Sequence, residues 1–97
     1  MPLRPLTLLA ALAACNTPTL SYFGIAPVTV TVDGSTFDIR RRGDTVQGIR
    51  TSPEAFPDRG DIAVRFGRAV KQATGCDPIP QTLAGDTALL TIRVDCA

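Results

Sequence analysis

Strict alternation of β-branched residues predicts a strand at 28–32, where the chain reads Val-Thr-Val-Thr-Val. Asp33-Gly34 follows it, and this pair favours a two-residue hairpin turn because both central positions take a positive φ. The pairs that such a turn places on one face are Val32–Ser35, Val30–Phe37 and Val28–Ile39. Turn chemistry and hydrophobic pattern therefore predict the same register for a hairpin whose return strand is 35–42.

A third strand is predicted at about 45–51 after a turn at Gly43-Asp44, although Gly48 weakens the pattern. A helix is predicted over 59–74, with Asp58 as its N-cap. Gly75 is expected to end this helix in the left-handed conformation. The apolar residues that recur at helical spacing there are Ile62, Phe66, Ala69, Val70 and Ala73.

The last part of the chain predicts one strong strand, from Thr87 to Cys96, with Ala88, Leu90, Ile92, Val94 and Cys96 on its inner face. The prolines in 78–83 confine that segment to a loop or an extra edge strand. Residues 27–97 are therefore expected to form one small α+β domain of order β-β-β-α-β. Its antiparallel sheet has three to five strands, and the helix packs on one face.

The N-terminal fourteen residues contain one positive charge, Arg4, followed by a short apolar run that ends in small residues. This layout is typical of a secretory signal, and the run is too short to span ~30 Å of hydrocarbon as a helix. The run ends in Leu12-Ala13-Ala14-Cys15, which resembles the lipobox of bacterial lipoprotein precursors. The resemblance covers these N-terminal residues only. It implies cleavage before Cys15, a diacylglycerol thioether on its sulfur and acylation of the new amine.

The resemblance divides the chain into a signal peptide at 1–14, a lipidated cysteine and tether at 15–26, and the domain. Two or more acyl chains make membrane attachment stable. Asn16 follows the cysteine, and by the same resemblance it favours the periplasmic face of the outer membrane over the inner membrane. Two alternatives stay open: Ala11-Leu12-Ala13 also reads as an ordinary cleavage site that releases a soluble periplasmic protein, and Cys15 could follow an apolar N-terminal helix by accident.

The chain has three cysteines. If lipid occupies Cys15, Cys76 and Cys96 remain as an even pair. The predicted helix ends beside Cys76, and Cys96 is expected on the strand face toward the helix. A Cys76–Cys96 disulfide is therefore predicted, and its loop of about twenty residues would stabilise the domain by ~3 kcal/mol. The alternative is two reduced thiols.

Ten basic residues face nine acidic ones in the full chain, and removal of Arg4 leaves equal numbers. This balance argues against nucleic acid as a partner. Basic residues are nevertheless concentrated in the middle of the chain. The candidate basic binding patch comprises Arg40, Arg42, Arg50, Arg65, Arg68 and Lys71. It could contact an anionic envelope surface or an acidic envelope protein, and the simpler interpretation is a solvated surface.

No histidine is present, which excludes catalytic sites that need a histidine base and removes a common metal ligand. The aspartates fall at predicted turns and caps, where backbone hydrogen bonding favours them. No enzyme, metal or cofactor is predicted. Two functions are carried forward: a membrane-anchored noncatalytic envelope lipoprotein that acts as an interaction or structural module, or a periplasmic inhibitor or small ligand-binding module. The second should show a protruding loop or a concave site at 52–57 or 78–85.

Overall fold

The computed structural model describes residues 19–97, so the predicted signal peptide and Cys15 lie outside the described part of the chain. One antiparallel sheet and one helix make up the domain. The strands are β1 (Val28–Val32), β2 (Ser35–Arg42), β3 (Thr45–Arg50), β4 (Asp77–Gly85) and β5 (Leu89–Asp95), and the helix is α1 (Arg59–Thr74). The order β-β-β-α-β confirms the predicted α+β class, with five strands.

The β1–β2 hairpin has the predicted register, in which Val30 pairs with Phe37. Its turn residues both take positive φ, 49° at Asp33 and 87° at Gly34, as a two-residue turn of this type requires. The register places Phe37 and Ile39 on the face that packs against α1, and both side chains are buried. Threonines occupy the opposite face, where Thr31 and Thr36 hydrogen-bond across the strands.

The spatial order of the strands is β1-β2-β3-β5-β4. The chain leaves β3, crosses the sheet as α1, and returns as β4 at the far edge before β5 fills the gap beside β3. The segment with Pro78 and Pro80 is thus an edge strand, one of the two predicted outcomes. An edge position suits it because proline has no N–H to donate. In an edge strand, alternate residues face solvent and need no N–H for pairing with a neighbouring strand.

Helix α1 has the predicted boundaries. The Asp58 side chain accepts a hydrogen bond from the Asp61 backbone N–H, and Gly75 ends the helix with φ 72°. Four of the five predicted stripe residues are fully buried against the sheet, and Ala73 packs at the edge of that core. Phe66 is central, with its ring centroid 5.6 Å from that of Phe37.

A disulfide joins Cys76 to Cys96, as predicted, and connects the end of α1 to the end of β5. Within β5 the predicted inner residues Leu90, Ile92 and Val94 are buried. Ala88 and Cys96, predicted to face inward with them, are exposed because β5 is shorter than expected and both residues lie beyond its ends.

Candidate functional site

A concave apolar groove of about 460 Å³ lies between α1 and β4. The helix contributes small residues on this flank, Ala63 and Gly67, which leave the space beside the core stripe unfilled. The opposite wall is the proline-containing edge strand, with Pro78, Pro80 and Leu83, and Ile92 of β5 also lines the groove.

The groove exists because β4 departs from its neighbour at mid-strand. Pairing with β5 is regular at Asp77–Ile79 and resumes at Ala84, and the register shifts between these points. The Thr82 hydroxyl donates to the Ile79 carbonyl and accepts from the Arg93 N–H. These bonds satisfy backbone groups that the irregularity leaves unpaired. They therefore stabilise the conformation of β4 at this wall of the groove.

Charged side chains line the opening of the groove. Lys71 Nζ lies 2.7 Å from Asp77 Oδ1, and Arg68 Nη1 lies 2.8 Å from Asp33 Oδ2. All four side chains are more than half exposed, and exposed ion pairs contribute only ~0–1 kcal/mol. Lys71 and Arg68 can therefore leave these carboxylates for another anionic group at little cost in free energy. An apolar cleft of a few hundred Å³ with a few charged groups is the usual form of a small-ligand site.

Away from the groove, a polar cluster surrounds Glu54 in the loop between β3 and α1. Its carboxylate accepts hydrogen bonds from Ser52 Oγ at 2.7 Å and Ser35 Oγ at 3.0 Å, and it pairs with Arg50 at 3.2 Å and Arg65 at 3.5 Å.

The Ser52 hydrogen bond is the main cause that lowers the pKa of Glu54, with Ser35 and Arg50 adding to it against partial desolvation. A carboxylate held ionised and saturated with donors is a poor proton acceptor. The cluster fixes the loop to the sheet and helix.

The six residues of the candidate basic patch do not form one surface. Arg50 and Arg65 meet at Glu54, and Arg50 also donates to the backbone carbonyls of Ser52 and Thr87. Arg68 and Lys71 lie at the groove opening in separate ion pairs. The other two residues, Arg40 and Arg42, lie on the opposite side of the sheet.

Arg40 and Arg42 belong to the outer face, defined here as the sheet face opposite α1. The segment 19–27 lies across this face. Arg40 Nε donates to the Ile25 carbonyl at 2.9 Å, and Arg42 Nη1 donates to the Ser21 carbonyl at 3.0 Å. Gln47, which is buried, donates from Nε2 to Thr19 Oγ1 at 3.0 Å. These bonds hold residues of the predicted tether against the domain.

Aromatic and aliphatic side chains of this segment divide between the sheet and solvent. Tyr22 is 7% exposed and packs inward, whereas Leu20 is 92% exposed and Phe23 is 69% exposed. Leu20–Tyr22 form a short 3-10 turn, in which positions three apart share a side, so Leu20 and Phe23 lie together and Tyr22 lies on another side. A concave site at 78–85 is one expectation of the ligand-binding alternative, and the groove lies there; the exposure of Leu20 was not predicted. The small residues Ala63 and Gly67, spaced four apart beside the helix stripe, were the available signal for the groove.

Phe56 is the third prominent exposed apolar side chain, 99% exposed in the loop that Glu54 anchors. Its φ is +53°, a conformation that aromatic residues rarely take. The segment 52–57 thus presents a protruding side chain, while 78–85 forms the wall of the concave site.

Other acidic residues serve turns. Two backbone N–H groups, of Leu89 and Ala88, lower the pKa of Asp86 by bonding its carboxylate, and Arg93 lowers the pKa of Asp44. Within residues 19–97, no three His, Cys, Asp or Glu side chains lie together as metal ligands.

No helix in the described part of the chain has the length and apolar character needed to cross a bilayer. No protein-family model matches the chain, and neither a curated protein nor a solved structure matches it.

Proposed function

We propose that this protein is an exported envelope lipoprotein, attached to a membrane through acyl chains on Cys15, whose small domain acts as a noncatalytic interaction module. The observation that carries the proposal is the use of the cysteines. Cys76 and Cys96 are joined to each other, and the third of the three cysteines is the one in Leu12-Ala13-Ala14-Cys15. Disulfides persist in oxidising compartments such as the periplasm, which agrees with export.

Detergent partitioning tests the anchor. The full chain is expressed in a Gram-negative host, and membranes are separated with a detergent that splits into two phases on warming. Wild type is expected in the detergent phase, and Cys15→Ser is expected to accumulate as uncleaved precursor. A Cys76→Ser/Cys96→Ser variant is the matched control, because it loses two cysteines and keeps the anchor. Wild type in the aqueous phase would favour cleavage after Ala13 and a soluble periplasmic protein.

The groove favours a second candidate function, binding of a small amphiphilic ligand. Its apolar walls would take the hydrophobic part, and Arg68 and Lys71 at the opening would take an anionic end. The size of the groove lies in the range of small-molecule sites, ~300–1,000 Å³.

A fluorescent anionic amphiphile, anilinonaphthalene sulfonate, tests the groove by titration. Gly67→Leu fills the groove and is expected to abolish binding to the folded protein. Gln72→Leu adds the same side chain to an exposed position of α1 outside the groove, so this control should bind as wild type does. Equal binding by both variants would exclude the groove as the site.

A further inference from the structure

We infer that the outer face of the sheet lies against the bilayer, with Leu20 and Phe23 inserted in the interfacial layer. This inference rests on the proposed lipid anchor at Cys15 and assigns the surface that the anchor brings to the membrane. The first observation is the length of free chain. Because Thr19 is hydrogen-bonded to Gln47 on the outer face, only residues 16–18 separate Cys15 from a residue fixed on the domain.

Four residue steps from Cys15 to Thr19 span at most about 14 Å when fully extended. The headgroup layer on each side of a bilayer is roughly 5–8 Å thick. An acylated Cys15 must lie at that layer, so Thr19 cannot move far beyond it. A tether running to residue 26 would have let the domain turn freely, but the bonds from Arg40, Arg42 and Gln47 remove most of that freedom.

The second observation is what the outer face presents beside Thr19. Leu20 and Phe23 are exposed while their neighbour Tyr22 is buried, so the two apolar side chains point away from the sheet. Exposed Leu and aromatic side chains next to a lipid anchor favour insertion in the interfacial layer, because burial there removes apolar surface from water.

The third observation is charge. Among residues 19–97, Arg40 and Arg42 form no ion pair with a carboxylate; their bonds go to the Ile25 and Ser21 carbonyls. Both lie on the same face as Leu20 and Phe23, Arg40 half-buried and Arg42 exposed. Asp38 on that face accepts a hydrogen bond from the Thr29 hydroxyl and pairs with neither arginine. Cationic side chains at this depth are attracted to anionic headgroups. Anchor, apolar pair and basic pair thus all favour the same face, while α1 and the groove face away from the membrane.

Single-tryptophan quenching tests this orientation, because the chain contains no tryptophan. Full-length lipidated Leu20→Trp and Phe23→Trp proteins are purified from membranes. They are reconstituted in phosphatidylcholine vesicles with a minority of phosphatidylglycerol, whose acyl chains are brominated. Gln72→Trp is the matched control, since Gln72 is an exposed residue of α1 that lies outside the groove, and α1 packs on the sheet face opposite the outer face. Intact mass of each sample shows whether Cys15 carries acyl chains.

We expect fluorescence loss in brominated vesicles to be several-fold larger for Leu20→Trp and Phe23→Trp than for Gln72→Trp, with emission shifted to shorter wavelength. Acylated samples in which all three variants are quenched equally, or none is, would overturn the orientation and leave the anchor standing. Samples without acyl mass would overturn the anchor and the orientation with it.

Discussion

Gly48 lies at the middle of β3, directly against the Phe66 ring of α1. A Cβ atom there would overlap the Phe66 ring, with Cδ1 at 2.9 Å. The ring has little room to move because Phe66 is fully buried and packs against Phe37. The absent side chain, which the sequence pattern treats as a weakness of the strand, is what lets an aromatic residue of the helix contact the sheet.

Gly48→Ala is therefore expected to destabilise the domain by about 1–3 kcal/mol through overpacking. Gly67→Ala is the matched control: its new methyl group would lie 4.0 Å from the nearest atom, Pro78 Cγ. Alanine is favoured over glycine inside a helix, so this variant should gain about 0.5–1 kcal/mol. Urea unfolding of both variants measures the difference, and a Gly48→Ala protein as stable as wild type would contradict the close packing.

Glu54 is the residue whose ionisation matters most for the loop before α1. Folding holds its pKa below the ordinary value of 4.5. Its stabilising contribution is therefore complete above that value and is lost as the pH falls through the lower pKa of the folded state.

Glu54→Gln is expected to lose about 1–3 kcal/mol at neutral pH, because Arg50 and Arg65 lose their shared carboxylate. It should also show a weaker fall in stability below pH 4.5 than wild type does. Thermal unfolding as a function of pH measures both effects. Asp86→Asn is the comparison, since the pKa of Asp86 is likewise lowered but by backbone N–H groups at an exposed turn. Identical pH profiles for wild type and Glu54→Gln would contradict the assigned role.

At the scale of elements, local sequence signals accounted for most of the fold. The Asp33-Gly34 turn and the alternation around it determined the hairpin register, and Asp58 and Gly75 determined the ends of α1, because each signal acts within a few residues. For 78–83 the sequence predicts either a loop or an edge strand, and the structure has an edge strand at Asp77–Gly85. Its pairing with β5 is interrupted by a register shift, and local pattern does not encode such a shift.

The disulfide connects two elements that are adjacent in space but twenty residues apart. The double variant Cys76→Ser/Cys96→Ser is expected to lose ~3 kcal/mol, since the unfolded chain regains the entropy of the closed loop. Denaturant unfolding of the variant and of wild type, each with and without reductant, measures the loss. Reductant should lower the stability of wild type to that of the variant and leave the variant unchanged. A reduced wild type that keeps its full stability would show that the bridge adds nothing to the fold.

At the scale of the whole molecule, the sheet lies between two surfaces, the groove beside α1 and the outer face. The groove between α1 and β4 depends on the distance between a helix flank and an irregular edge strand, and neither element determines that distance alone. The same holds for the candidate basic patch. Sequence proximity and helix periodicity suggest one patch, but folding places Arg40 and Arg42 on one side of the sheet and the other four residues on the opposite side.

The position of the segment 19–27 likewise depends on contacts that local sequence does not show. Residues 16–26 lack periodicity, which indicates a spacer, and packing of Tyr22 and Phe23 on the domain is favoured over a place at the membrane surface. Tyr22 packs on the domain, whereas Phe23 is exposed. The structure places residues from Thr19 onward on the outer face through side chains of β2 and β3, which are far away in sequence.

Intact mass and the N-terminal residue of the mature protein, purified from cells, test the lipid anchor on Cys15. We expect a chain that begins at Cys15 and carries the mass of a diacylglycerol group and a third acyl chain, with Cys76 and Cys96 still bonded. A chain that begins at Ala14 with no added lipid mass would contradict the anchor. It would leave a soluble, bridged periplasmic domain whose remaining candidate function is ligand binding in the groove.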